Sequence, residues 1–206
     1  MYLFGRQVTL QGPFREMLGW ATEVTQLVNE VSDVPVTLWG SSMGYPIGTM
    51  VWSARVESHA QLFAMTAGLQ SNDAYLDLVD RGRQYIHTPG EDNLRRFVVA
   101  PEGEPPQVAL LTTATAASGR EADAMAWGAD MAGYVSKLTG HAASFLVDSY
   151  GTFGQVTWIQ GFEDVDELDA AQDTTSADEE YLNRVTKAGD LFVESSGHQA
   201  LATRIV

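Results

Sequence analysis

One glycine-rich segment has the residue pattern that surrounds the catalytic serine of some hydrolases. Residues 40–44 read Gly-Ser-Ser-Met-Gly, which fits the G-x-S-x-G pattern of a nucleophile elbow, and Asp148 and His198 follow in the chain order of a triad. An elbow needs a helix directly after the serine, whereas Tyr45-Pro46-Ile47-Gly48 indicates a turn that leads into another strand. We therefore interpret the segment as a glycine-rich turn and not as a hydrolase site.

Histidines are the next residues that could do chemistry, and they are dispersed along the chain. The sequence has four: His59, His87, His141 and His198. No two of them have the spacing of metal ligands on a helix, so we expect no metal site and no cofactor. His87 follows a predicted helix near Tyr85 and could turn toward a cavity, which makes it a candidate catalytic residue, although a surface position is the alternative.

Aromatic side chains and one arginine could form the wall of a ligand pocket. Arg55 lies on a predicted strand and has no counterpart in the second half, where Gly161 stands, so its guanidinium could contact an anionic or carbonyl group. Core packing is the alternative for Trp52 and Trp158, because both halves keep a tryptophan there. We take Arg55 and His87 as candidate catalytic residues. The candidate pocket residues are Trp39, Trp52, Tyr75 and Trp158.

The composition limits the kinds of molecule that the protein can bind. The 206 residues are 45% apolar and 19% charged, with 27 acidic against 12 basic side chains and a formal net charge of −15. A surface this acidic argues against binding to nucleic acid or to an anionic membrane. The chain has no cysteine, no signal-peptide-like start and no long apolar run, so we expect a cytoplasmic protein without disulfides.

These candidate residues are carried by elements that occur twice. Shifting the sequence by 106 positions superimposes Trp52 on Trp158 and Tyr75 on Tyr181, and residues 35–82 align without a gap. The first amphipathic helix repeats at a shift of 107, and both copies of its apolar stripe contain a tryptophan near the start. We therefore predict two repeats, residues 1–100 and 107–206, joined by a proline-rich linker at 101–106.

Within each repeat the pattern predicts a strand, a helix, two strands, a helical segment and a strand. The two middle strands are joined by short turns and should form an antiparallel hairpin. The helix after the hairpin begins at a capping box, Ser58 to Gln61, with a similar device at Asp164 to Glu167. This order is the split β-α-β of ferredoxin-like units, so the predicted fold class is α+β with two tandem ferredoxin-like repeats.

The segment from Trp52 to Leu62 and its copy from Trp158 to Leu168 have a tryptophan leaving a strand, an acidic residue five positions on and a leucine ten positions on. This arrangement resembles the dimeric α+β barrel superfamily, which includes the antibiotic-biosynthesis monooxygenase family and NIPSNAP-like proteins. The resemblance implies antiparallel sheets packed as an α+β barrel with a cavity between them. That superfamily includes cofactor-free monooxygenases, haem enzymes, small-molecule isomerases and proteins with no known activity, so the resemblance implies a fold and leaves the activity open.

Three functional hypotheses follow from the repeat and from this resemblance. The first is a protein that binds a small apolar or aromatic molecule and oxidises or rearranges it without a cofactor. The second is a non-catalytic interaction or assembly protein with acidic helical faces, and the third is a haem-binding relative. The expected partners are a small molecule and a second copy of the chain as a homodimer, with no nucleic acid and no membrane.

Overall fold

The computed structural model describes residues 1–101 and 103–206, so Glu102 of the predicted linker lies outside the described residues. The same order of elements occurs twice. The first seven are β1 (Tyr2–Thr9), α1 (Phe14–Val31), β2 (Val36–Met43), β3 (Thr49–Val56), α2 (His59–Gln70), α3 (Asp73–Gly82) and β4 (Glu91–Val99). The second seven are β5 (Val108–Thr115), α4 (Glu121–Thr139), β6 (Ala143–Tyr150), β7 (Gln155–Phe162), α5 (Val165–Ala177), α6 (Glu179–Lys187) and β8 (His198–Arg204), with a short 3-10 helix at Gly189–Leu191 before β8.

The chain divides into two compact units whose limits differ from those of the sequence repeats. The first unit is Met1–Leu94 together with Arg204–Val206, and the second is Arg95–Thr203. Strands β4 and β8 therefore each give residues to both units, and the hydrogen-bonded order of the eight strands, β1-β3-β2-β8-β5-β7-β6-β4, closes on itself. This confirms the predicted α+β class and is the strand connectivity of an α+β barrel.

In each unit, one face of the central hairpin packs under helices. Trp52 on β3 lies opposite Leu38 on β2, and both belong to a buried cluster with Ala21 and Val24 of α1. In the second unit Trp158 on β7 takes the equivalent place. Alternate residues of each strand point to opposite faces of a sheet, so one set packs against α1 or α4 and the other set does not.

Side-chain caps fix where the helices after each hairpin begin. Ser58 Oγ accepts from Gln61 N at 3.2 Å, and Gln61 Oε1 accepts from Glu57 N at 2.7 Å. Asp164 and Glu167 make the same pair of contacts, each at 2.9 Å. Each cap oxygen therefore accepts from the backbone N–H three residues on, as expected, and so satisfies an N–H group that the helix start leaves open. The returning side chain bonds the N–H of the residue before the cap, and not that of the cap itself.

Two sequence predictions need correction. Leu38 pairs with Trp52 as Phe145 pairs with Trp158, so the shift between repeats is 107 through β2 and becomes 106 only after the hairpin turn. The gap-free alignment of residues 35–82 is therefore wrong by one position on β2, because the turn in the second repeat is one residue shorter. Strand β4 also begins at Glu91, four residues before the predicted start, in a polar stretch with little strand propensity.

Candidate functional site on the first sheet

The face of the first sheet that does not pack on α1 carries a tryptophan and several polar side chains. We call it the helix-free face of the first sheet and define it by Gly5, Trp39, Val51, Ser53 and Arg55. These residues are brought together by register, because Gly5 pairs with Ser53 on one side of β3 and Trp39 pairs with Val51 on the other. None of them belongs to the core cluster under the helices.

Trp39 is the largest side chain on this face and is held in one orientation. Its side chain is buried, with 9% relative exposure, and its indole Nε1 donates to Ser53 Oγ at 2.9 Å. The indole N–H is therefore satisfied, and this hydrogen bond fixes the direction of the ring. A rigid aromatic surface with its polar atom already bonded is suited to stacking against another flat apolar group.

Arg55 occupies the same face, two residues beyond Ser53 on β3. It pairs with Leu3 of β1 and is half-buried. In the second repeat the equivalent residue is Gly161, where an added Cβ would meet Pro106 Cγ at 2.6 Å. Pro106 therefore fills the space that a side chain would need there, which explains why only the first repeat carries a guanidinium at this position.

Asn93 adds an unpaired acceptor to the helix-free face of the first sheet. Its amide lies against Gly5, where an added Cβ would meet Asn93 Oδ1 at 2.8 Å. Among the described residues, Asn93 Oδ1 is one of the buried side-chain atoms without a hydrogen-bond partner. Buried acceptors are rarely left unpaired, so this oxygen is available to a donor that the protein itself does not supply.

The other predicted site residues lie elsewhere. Trp52 is in the core, where its Nε1 donates to Thr25 Oγ1 at 2.9 Å, and Tyr75 packs on the same core from α3. Trp158 lies under α4 and donates from Nε1 to Gly128 O at 2.9 Å. The structure therefore brings Trp39 and Arg55 to one face and does not bring these three to it.

His87 is exposed, and its Nδ1 lies 2.9 Å from Gln11 Oε1. Its backbone N–H donates to Thr9 O at the end of β1. Arg55 lies opposite Leu3 near the other end of that strand. Six strand positions separate Thr9 from Leu3, which is about 20 Å. The two candidate catalytic residues are thus far apart.

Sequence reasoning missed a buried ion pair in the second unit. Arg95 Nε donates to Asp148 Oδ1 at 3.0 Å, and the two side chains are only 13% and 3% exposed. Burial raises the pKa of Asp148, and the guanidinium of Arg95 partly opposes that rise. An acid directly after the apolar run Phe145-Leu146-Val147 was the signal that could have found it.

The two exposed histidines do not fit a haem site. His87 is exposed, His198 is exposed on β8, and His59 stacks edge-on against Tyr2 at 4.9 Å. His141 is half-buried, with its Nδ1 3.7 Å from Glu167 Oε2 and its ring 5.1 Å from the ring of Phe162. An axial ligand has to point from the protein into an apolar pocket, so the exposed His87 and His198 do not fit that role. No group of three metal-ligating side chains occurs among the described residues.

Comparison with known proteins shows the fold alone. No protein-family model and no curated protein matches the sequence. Among solved structures, a candidate monooxygenase from Fusobacterium nucleatum matches with a TM-score of 0.73 at 10% identity, over 100% of this chain and 92% of the other. A candidate monooxygenase from Lactobacillus acidophilus matches at 0.67 and 10%, over 98% and 93%. An anthrone oxidase-like protein matches at 0.66 and 11%, over 100% and 91%.

These likenesses confirm the predicted α+β barrel fold. Identities this low carry no residue role from one protein to another. In the described residues, no helix is long and apolar enough to cross a membrane.

Proposed function

We propose that the helix-free face of the first sheet binds a small aromatic molecule that carries a carbonyl or anionic oxygen, and that the bound molecule is oxidised by O2. The observation that carries the proposal is the fixed indole of Trp39 on the same face as Arg55. The ring supplies a stacking surface, and the guanidinium supplies a cation for the oxygen of the ligand.

The chemistry suited to these groups is oxidation of an enolisable aromatic ketone. Arg55 stabilises the enolate, which lowers the pKa of the ketone's C–H bond and lets the proton leave to water. The enolate then reduces O2 directly: the CH2 group becomes C=O, one oxygen atom enters that carbonyl, and the other leaves as water. Atoms and electrons balance for anthrone plus O2 giving anthraquinone plus water, so the substrate itself supplies the electrons.

Two features support a ligand of this class. Asn93 Oδ1 is an unpaired buried acceptor on the same face and can receive a hydroxyl of the ligand. The fold is also that of solved proteins described as a candidate monooxygenase and as anthrone oxidase-like. Because of this likeness in fold, anthrone oxidation is the first reaction to assay. Whether this protein catalyses it depends on its own residues.

The test is anthrone oxidation by purified protein, followed by the absorbance of anthraquinone, with ligand binding measured by quenching of tryptophan fluorescence. Replacing Arg55→Gln should lower kcat/KM by about a hundredfold, because one donor to a developing oxyanion is lost. The matched control is Arg96→Gln on β4, an exposed arginine, which should leave kcat/KM unchanged.

Thermal melting of each variant separates loss of fold from loss of chemistry. Oxidation no faster than in buffer, together with no binding of anthrone, would refute the proposal. Binding that depends on Arg55 without turnover would retain the binding site and reject the oxidation.

A further inference from the structure

A cleft lies in the first unit, on the outside of α1. It has a volume of about 330 Å³ and is lined by residues of α1, the end of α3 and the turn after it. The lining residues are Glu16, Trp20, Glu23, Arg81, Gln84 and Tyr85. We call it the α1–α3 cleft. Trp39 and Arg55 are not among its lining residues, so it is separate from the site proposed above.

The walls of the α1–α3 cleft are fixed by hydrogen bonds. Trp20 Nε1 donates to Leu78 O at 2.8 Å, and its ring lies 6.0 Å from the ring of Tyr85. Tyr85 is held at both backbone ends, since its N–H donates to Gly82 O and its carbonyl accepts from Gln11 N. The Trp20 ring is therefore held by its own hydrogen bond, and the backbone that carries Tyr85 is fixed on both sides.

The charges around the cleft favour a cation. Arg81 is already paired with Glu23 at 2.7 Å, so these two side chains largely cancel. Glu16 has no ion-pair partner among the described residues, which leaves one carboxylate without a side-chain cation beside the aromatic wall. It lies in the first turn of α1, so only the partial positive charge of that helix end offsets it. Helix α3 also ends at Gly82, beside the cleft, and the C-terminal end of a helix carries partial negative charge.

We propose that the α1–α3 cleft binds an alkylammonium group. Such a group combines a positive charge with apolar methyl or methylene surface, so it is attracted both by Glu16 and by the faces of Trp20 and Tyr85. A strongly hydrated inorganic cation would gain little from the rings, and an anion would be repelled by Glu16. The ligand class is therefore a quaternary or primary alkylamine, free or as part of a larger molecule.

The test is titration of the whole protein with choline, followed by NMR of the tryptophan indole N–H signals, with the Trp20 signal assigned by Trp20→Phe. The neutral isostere 3,3-dimethyl-1-butanol has the same shape without the charge. Choline should shift the Trp20 signal and bind at least about tenfold more tightly than the isostere. A parallel titration with glycerophosphocholine compares its affinity with that of choline. Tighter binding of glycerophosphocholine indicates a ligand whose alkylammonium group is part of a larger headgroup, and tighter binding of choline indicates a free alkylamine.

Glu16→Gln should weaken choline binding by about tenfold. The matched control is Asp123→Asn at the equivalent position of the second repeat, where the carboxylate is already paired with Arg120 at 3.0 Å, and this change should leave binding unaltered. Equal affinity for choline and its isostere, no shift of the Trp20 signal, or binding unaffected by Glu16→Gln would each overturn the proposal. Thermal melting confirms that both variants are folded.

Discussion

At the scale of single residues, strand register determines which face of the sheet a tryptophan side chain occupies. Trp39 and Trp52 both lie on strands of the same hairpin, and both are buried. Trp52 occupies the face under α1, while Trp39 occupies the opposite face with Arg55. Side chains alternate between the faces of a strand, so a shift of one residue exchanges the core face and the face of the proposed site. Position along the strand therefore determines the role, and residue type alone does not.

The buried pair of Arg95 and Asp148 gives a prediction at the same scale. Replacing Arg95→Met should lower the free energy of unfolding at pH 7 by about 3–5 kcal/mol, because the carboxylate stays buried without its partner. The folded-state pKa of Asp148 is already raised by burial, and losing Arg95 should raise it further. The folded variant then binds a proton more tightly than the unfolded chain, so its deficit should shrink as the pH falls.

Urea denaturation at several pH values measures this effect. Arg96→Met, at the neighbouring exposed arginine, is the control and should change stability by less than about 0.5 kcal/mol. The double variant Arg95→Met with Asp148→Leu should recover most of the loss, since no charge then remains buried. If the Arg95→Met variant were as stable as the wild type, the ion pair would contribute nothing to the free energy of unfolding.

At the scale of elements, local signals predicted the helices and their starting points well. The capping boxes at Ser58 and Asp164 were visible as short patterns, because a cap depends on residues three apart. Close approach between helices was not visible in this way. Gly82 at the end of α3 lies directly under the Trp20 ring of α1, so that an added Cβ would overlap the ring. The sequence shows a glycine at position 82, but it does not show which side chain packs against that glycine.

Replacing two helical glycines by alanine should therefore change the free energy of unfolding in opposite directions. Gly68→Ala in α2 should raise the free energy of unfolding by about 0.5–1 kcal/mol, because a Cβ there meets nothing within 4 Å and alanine favours helix. Gly82→Ala should lower it by about 1–3 kcal/mol, because the Trp20 ring has to move. Thermal and urea denaturation measure both, and stabilisation by Gly82→Ala would contradict the packing described.

At the scale of the whole molecule, the two repeats of the sequence are not the two compact units. The last three residues of the second repeat, Arg204–Val206, belong to the first unit. Ile205 N donates to Leu38 O at 2.8 Å, and Leu38 N donates to Val206 O at 3.0 Å. Leu38 is fully buried, so these bonds satisfy backbone groups that water does not reach.

Removing Ile205 and Val206 should consequently destabilise the first unit. Both backbone groups of Leu38 lose their partners, which should cost about 1–3 kcal/mol for each group left unsatisfied. Hydrogen exchange of the Leu38 amide should become faster in the truncated protein. The control is Val206→Ala, which keeps the backbone and should leave exchange at Leu38 close to wild type. Unchanged exchange after truncation would rule out this role for the C-terminus.

The sequence by itself determined the duplication, the α+β class and the positions of most elements, because periodicity and caps depend on residues close together in the chain. It also identified Trp39 and Arg55 as candidates from residue type and from the asymmetry with Gly161. The tertiary structure decided that these two share a face while His87 lies about 20 Å along the strand from Arg55. It also decided that Arg95 meets Asp148, and that the chain end completes the first sheet. Such contacts join residues far apart in the chain, and only strand register and packing bring them together.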